Sequence, residues 1–244
     1  MSVPWFLAPP ENWSDAEVVL PEEESNHALK VLRVSPPDVV TVTDGKGIVA
    51  RCAVARVEAG RLIAEVLDRN RHRRPTPELI VYQGAAKHGK VDGIVERVAE
   101  VGVAEFYVYD SSRSVVRWDD DKLARRDARW KTIARSAAKL ARSPFVMSIG
   151  GAISFDELVT RVEKESLPLV LWEDASLPMR TAFVEPADRV ALVVGPEGGL
   201  APEEAEALAD AGAQLVSLGP RILRTENAAV VAVTALLFHY GLVG

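Results

Sequence analysis

Ala191-Leu192-Val193-Val194-Gly195-Pro196-Glu197-Gly198-Gly199 and, farther on, Leu215-Val216-Ser217-Leu218-Gly219-Pro220-Arg221-Ile222-Leu223-Arg224-Thr225-Glu226-Asn227 decide how this chain is read. Each stretch is a short apolar run, then a turn rich in Gly and Pro, then the start of a helical pattern. The run Ala191-Leu192-Val193-Val194 is apolar throughout rather than alternating, which suits a strand of a parallel sheet covered by helices on both faces. In an open sheet of that kind ligands lie outside the carboxyl ends of the strands. Two glycine-rich loops at neighbouring strand ends let backbone N–H and C=O groups approach a ligand closely, and such a surface suits the purine and ribose of a nucleotide-like cofactor. Ordinary tight turns closing β-to-α connections are the competing reading. The concentration of Arg221, Arg224, Thr225, Glu226 and Asn227 weighs against it, although Thr225 also reads as the N-cap of the last helix.

The standard nucleotide motifs do not fit. Gly195-Pro196-Glu197-Gly198-Gly199 lacks the spacing G-x-G-x-x-G, and no G-K-[S/T] follows the glycines, since Gly199 leads into Leu200-Ala201. The four histidines, His27, His72, His88 and His239, occur singly, so the sequence offers no metal-ligand cluster. No nucleophile-elbow G-x-S-x-G occurs either.

Outward from these loops, the pattern over roughly 75–244 alternates strand and helix. It predicts strands at Leu79–Gln83, Glu105–Tyr109, Phe145–Ile149, Leu167–Trp172, Arg189–Val194 and Gln214–Leu218. Helices are predicted at Gly89–Val101, Lys122–Ala141, Ser154–Glu165 and Glu203–Ala211. A last one over Glu226–Tyr240 is apolar on most of its surface and is therefore expected to be buried. Arg69-Asn70-Arg71-His72-Arg73-Arg74, followed by Pro75-Thr76-Pro77, reads as a basic linker. Before it the pattern is β: Val39–Thr43, a hairpin signal at Asp44-Gly45-Lys46-Gly47, then Arg51–Val57 and Leu62–Leu67, with one helix at Glu23–Arg33. Two domains are expected, a small barrel or sandwich over 1–74 and an α/β domain over 75–244.

Composition narrows the function classes. With 48% hydrophobic residues in 244 the chain has material for a core, and a single cysteine, Cys52, excludes an intrachain disulfide and fits a reducing cytoplasm. The N-terminus has no signal-peptide pattern, and the apolar run Ala228–Phe238 falls short of the about 20 residues a membrane span needs. A net charge of −6 argues against coating nucleic acid by bulk electrostatics. The charge is uneven, however. Residues 1–68 hold six Lys/Arg against eleven Asp/Glu, whereas Arg113–Arg142 holds ten against four. A solvated helix face and a polyanion site both remain open for that basic stretch.

Leu192-Val193-Val194-Gly195-Pro196-Glu197-Gly198-Gly199-Leu200 together with Leu218-Gly219-Pro220-Arg221-Ile222-Leu223-Arg224-Thr225-Glu226 resembles the RsmE family, bacterial uridine-N3 methyltransferases of 16S ribosomal RNA in the SPOUT superfamily. His27-Ala28-Leu29-Lys30-Val31-Leu32-Arg33, Lys87-His88-Gly89-Lys90 and Glu100-Val101-Gly102 stand where that family has weaker signatures. The resemblance covers nearly the whole chain. Three positions depart from it: Pro4-Trp5-Phe6, Lys139-Leu140-Ala141-Arg142, and Ala201 where a Ser or Thr cap is usual.

The resemblance implies an α/β fold: a C-terminal SPOUT-type trefoil-knotted domain behind a small N-terminal PUA-like β-barrel that binds RNA. It implies a homodimer with an interface that includes the helix Ala228–Tyr240, and S-adenosylmethionine as cofactor, with no metal and no membrane partner. The cofactor would lie among Leu171, Trp172 and Glu173; Val194, Gly195, Pro196, Glu197, Gly198 and Gly199; and Leu218, Gly219, Arg221, Ile222, Leu223 and Thr225. Arg224, Glu226 and Arg221 are the candidates for catalysis. Lys30, Arg33, Arg71, Arg73, Arg74, Arg129, Arg135 and Arg142 are the candidates for contacts with 16S ribosomal RNA of the small subunit, as one composite surface. A SPOUT methyltransferase acting on another nucleotide, for instance at a ribose 2′-O, and a non-catalytic RNA-binding module are the alternatives.

Overall fold

The β-branched run Val39–Thr43 forms a strand in the computed structural model, which describes residues 3–87, 89–114, 120–182 and 187–243. Two compact units share the chain: Met1–Arg74 with Ala138–Val146, and Pro75–Ala137 with Met147–Gly244. In the first unit the elements are β1 (Trp5–Leu7), β2 (Glu17–Val19), α1 (Glu22–Asn26), β3 (Val39–Thr43), β4 (Ile48–Glu58) and β5 (Arg61–Arg71). They build one five-stranded sheet in the order β1-β3-β4-β5-β2, with β1 parallel to β3 and the other pairs antiparallel. Alternate residues Val40, Val42, Cys52, Val54, Leu62 and Ala64 face a core that Ala28 and Val34 close. Burial pushes the Cys52 thiol up to about 11, so it behaves as a small core residue.

Three expectations for this region change. The helix expected at Glu23–Arg33 is α1 followed by a wider π-helical turn, His27–Val31, and Arg33 leaves it with φ 55°. That turn leaves Val31 and Leu32 exposed. The basic linker begins later than its composition suggests, because β5 stays paired through Arg71: Ala50, Val49 and Ile48 oppose Arg69, Asn70 and Arg71. Arg69 also stacks on Trp13 at 5.4 Å and donates to the Ser14 carbonyl at 2.6 Å. Finally, Phe145 and Val146 are not strand. Val146 N–H donates to Gly45 O (2.9 Å) and Gly47 N–H to Pro144 O (3.0 Å), so the segment Pro144–Val146 seats on the β3–β4 turn. Both glycines have positive φ, and a Cβ on either would come within 2.8 Å of Val146 or Phe145. Only glycine permits that approach.

The second unit contains β6 (Glu78–Gly84), α2 (Lys90–Val101), β7 (Glu105–Tyr109), α3 (Asp120–Leu140, its last turn in the first unit), β8 (Ser148–Ile153), α4 (Phe155–Val162) and β9 (Leu167–Leu171). It continues with β10 (Leu177–Pro178), β11 (Arg189–Val194), α5 (Pro202–Asp210), β12 (Gln214–Ser217) and α6 (Thr225–His239). All seven strands are parallel, in the order β10-β12-β9-β11-β6-β7-β8. β11 lies between β9 and β6 and is buried along Val190–Val194, which is why its sequence does not alternate. On one face Ile80, Tyr82, Ala191 and Val193 pack with Leu158 and Val162 of α4 and Leu208 of α5. α6 contacts β6, β11 and α2.

Within one chain, α6 is buried on one side only. Ala229, Ala232, Val233, Leu236 and Leu237 are buried, but Val231, Thr234, Ala235 and Phe238 are exposed, Phe238 by 71%. One side of one sheet covers only one side of a helix. Among the described residues no helix is long and apolar enough to cross a membrane.

Candidate cofactor and catalytic site

β12, β9 and β11 are neighbours, so the loops after them open at one end of the sheet. They enclose a cavity of about 440 Å³, within the range of small-molecule sites. Leu171, Trp172 and Glu173 line it from β9; Val194, Gly195, Pro196, Glu197 and Gly199 from β11; Leu218, Gly219, Arg221, Ile222, Leu223 and Thr225 from the loop into α6. Arg224 and Glu226 line it as well. Gly198, expected among them, does not. A Cβ there would meet Arg113 at 3.3 Å, and the Arg113 guanidinium donates to Gly198 O at 3.3 Å, so this residue faces the loop after β7. Gly199 instead faces the cavity with φ 70°, and a Cβ on it would stand 2.7 Å from Glu173 Oε1. Sequence reasoning also passed over Lys90, Leu200, Val216, Ser217, Pro220 and Ala228, which complete the lining. Of these Lys90 had a signal, the Lys87–Lys90 stretch, of which His88 lies outside the described residues.

The loop after β11 is held from behind. Gly84 lets Pro196 approach, since a Cβ there would be 2.5 Å from the proline ring. Tyr109 donates its phenol to Val194 O (3.1 Å), and Lys87 N–H donates to Glu197 Oε1 (2.9 Å). Burial alone would raise the Glu197 carboxyl; the backbone N–H groups of Lys87 and Glu197 and the Lys90 ammonium outweigh it and hold the group below its ordinary value. Lys90 Nζ lies 3.4 Å from Glu197 Oε1 and 3.5 Å from Glu226 Oε2, tying α2 to both loops. Glu226 thus pairs with a lysine, and its buried Oε2 accepts no hydrogen bond among the described residues.

Thr225 is not the cap of α6. Arg224 holds the cap position with extended backbone, and its carbonyl accepts from Asn227 and Ala228 N–H (both 2.9 Å). The Thr225 hydroxyl donates to Gly195 O at 2.6 Å, bonding one glycine loop to the other. Ala201, the cap of α5, has no side-chain acceptor. The buried Glu204 compensates by accepting from Ala201 N–H (3.0 Å), Ser112 N–H (2.7 Å) and Ser111 Oγ (2.9 Å).

Of the residues expected to contact RNA, Lys30, Arg33, Arg71, Arg73 and Arg142 are exposed in the first unit. Arg74 is partly covered there, stacked 4.7 Å over Phe145 and donating to Val146 O (3.4 Å). In the second unit Arg129 and Arg135 are both exposed, and Arg129 Nε also pairs with Asp92 at 2.6 Å.

The cavity fits a nucleoside-sized cofactor: tight backbone at Gly195 and Gly199, with open space beside Gly219, where a Cβ would meet nothing within 4 Å. Comparison with known proteins points the same way. The RNA methyltransferase domain family matches residues 72–237, and the RNA methyltransferase PUA domain family matches residues 20–67. The ribosomal RNA small subunit methyltransferase E of Mycobacterium bovis is 36% identical over 225 residues, covering 91% of this chain and 86% of that protein. Its Bacillus subtilis counterpart is 29% identical over 225 residues, covering 89% and 88%. The crystal structure of the Neisseria gonorrhoeae ribosomal RNA small subunit methyltransferase E, bound to S-adenosylmethionine, superposes with a TM-score of 0.88 at 30% identity over 98% of both chains.

Proposed function

The chain belongs to the RNA methyltransferase family, and on that premise we propose that it transfers a methyl group from S-adenosylmethionine to N3 of a uridine in 16S ribosomal RNA. The observation that carries this reading is the cavity shared by the two glycine-rich loops, whose lining contains three cationic side chains, Lys90, Arg221 and Arg224, beside Glu226. A module that only docks RNA has no need of such a cavity.

S-adenosylmethionine, when bound, supplies an electrophilic methyl group. Gly195, Gly199, Gly219 and their neighbours would hold it through backbone groups, and Trp172 and Leu171 would contribute apolar wall. The N3 proton of uridine must leave for that nitrogen to become a good nucleophile. Arg221 and Arg224 are exposed, and among the described residues no carboxylate or carbonyl engages either guanidinium. A guanidinium beside O2 or O4 stabilises the negative charge that develops as the proton departs. Glu226 Oε2, buried at the cavity and without a hydrogen bond, is the acceptor for that proton. Holding N3 in line with the methyl group supplies much of the remaining acceleration.

The same reading includes the trefoil knot, a PUA-like RNA-binding domain over 1–74 ahead of a methyltransferase domain over 75–244, and action in the cytoplasm. It includes a homodimer, supported by the exposed apolar face of α6 around Val231 and Phe238. RNA contacts are proposed at Lys30, Arg33, Arg71, Arg73, Arg74, Arg129, Arg135 and Arg142. Phosphate neutralisation there makes binding weaken steeply with salt. Methyl transfer from labelled S-adenosylmethionine to unmethylated small subunits, with the product mapped to the base, tests the reading; incorporation at a ribose oxygen or none at all overturns it.

A further inference from the structure

Gln83 is the penultimate residue of the apolar strand β6 and is fully buried, yet its side-chain amide does not serve the sheet. Its Nε2 donates to Thr225 Oγ1 (2.8 Å), to Gly195 O (3.2 Å) and to Gly84 O (3.2 Å). The two carbonyls can only accept, which fixes which end of the amide faces them. Thr225 gives its single hydroxyl proton to Gly195 O at 2.6 Å and therefore accepts from Gln83. Three elements meet in this triangle: the end of β6, the loop after β11 and the start of α6. Two of its corners, Gly195 and Thr225, line the cavity, whereas Gln83 itself does not.

The other half of the amide is informative. Gln83 Oε1 is buried and has no hydrogen-bond partner among the described residues. A half-satisfied buried amide is destabilising relative to an apolar side chain of the same size, so stability alone does not account for a glutamine here. Its donor half does. We infer that Gln83 is a positioning residue for the cofactor, acting through Thr225 and Gly195 to lock the two glycine-rich loops at one separation. The inference rests on the proposed S-adenosylmethionine site. Gln83 touches neither the cofactor nor the uridine, so its loss acts on cofactor affinity and leaves the chemical step to Arg224 and Glu226.

The test is a titration of the full-length protein with S-adenosylmethionine by calorimetry, together with steady-state kinetics on small subunits. No binding by the unaltered protein would overturn the cofactor reading itself. With that binding in place, Gln83→Met and Thr225→Val are each expected to weaken it about tenfold, the size of one buried hydrogen bond left unmade. The double variant is expected to lose about the same tenfold, not a hundredfold, because both changes cut one network. KM for the cofactor rises while kcat at saturation stays within about threefold. Thr225→Ser, which keeps the hydroxyl, recovers most of the loss. Independent, additive losses, or unchanged affinity with only a lower melting temperature, would overturn the inference. Should Gln83→Met fail to fold, the Thr225 pair decides: equal losses for Val and Ser would contradict it.

Discussion

Gly198 and Gly199 are adjacent, chemically identical and opposite in consequence. Gly199 has positive φ and a Cβ position 2.7 Å from Glu173 Oε1, whereas Gly198 faces Arg113 at 3.3 Å. Gly199→Val is therefore expected to lower S-adenosylmethionine affinity at least tenfold more than Gly198→Val, because it adds steric overlap to strained backbone inside the cavity. Calorimetric titration of both checks this. Arg224→Ala is expected to keep cofactor affinity and lose about 10²–10³ in kcat, the usual cost of one preorganised donor; single-turnover methyl transfer reads it. Glu197 gives a pH signature. Its folded-state carboxyl is held below the unfolded value of about 4.3. The stability it contributes is therefore complete above that pH and disappears as the pH falls through the lower folded value. The stability difference between the protein and Glu197→Gln should shrink on acidification; a constant difference down to pH 3 would show that the carboxylate contacts contribute nothing. At this scale the residue types at the two loops were legible because glycines and arginines cluster there in an order that ordinary turns do not need. What the order could not reveal was direction. Whether a glycine faces the cavity or its back wall depends on Arg113, Glu173 and Thr225, which pair across the sheet rather than along the chain.

α5 shows how one element is stabilised by a residue three positions into it. With no side-chain acceptor at Ala201, the buried Glu204 serves both the helix start and the loop after β7. Glu204→Ala would leave the buried Ala201 N–H unpaired, a loss of about 1–3 kcal/mol, and should lower the melting temperature by several degrees in calorimetry. α6 supplies the complementary case. Its buried side faces β6, β11 and α2, while Val231 and Phe238 present apolar surface outward. Phe238→Asp is expected to shift a dimer to monomer in sedimentation without unfolding the chain; a protein that is monomeric at every concentration would contradict the proposed interface. The strands β3, β7 and β11 follow their β-branched or apolar runs to the residue: β3 because its β-branched side chains suit a pleated, half-buried strand, β7 and β11 because a strand inside a parallel sheet needs no strict alternation. The turn His27–Val31 and the two-residue β10 did not announce themselves. Each is held by tertiary packing or pairing, β10 by β12 alone, rather than by local propensity.

For the whole molecule, the proline-rich joint after Arg74 marks the change from sheet-dominated to alternating sequence, and it coincides with a boundary between the units. The return of Ala138–Val146 to the first unit had no such marker. It depends on Gly45 and Gly47 having no side chain where Val146 and Phe145 arrive, a pairing a hundred residues apart. The acidic first 68 residues and the basic stretch at Arg113–Arg142 point to RNA binding governed by local rather than net charge. Reversing Arg73 to Glu should weaken RNA binding and flatten its salt dependence by about one phosphate contact, with cofactor affinity unchanged. The central claim, that two glycine-rich loops at the end of a parallel sheet hold a cofactor whose methyl group goes to a base nitrogen of small-subunit RNA, is tested most directly by one measurement. Small subunits lacking the modification are incubated with the protein and labelled S-adenosylmethionine, and the product is digested and mapped by mass. The account predicts one methyl group per subunit, on N3 of a single uridine, abolished by Gly199→Val. Label on a ribose oxygen, or on no nucleotide at all, would contradict it.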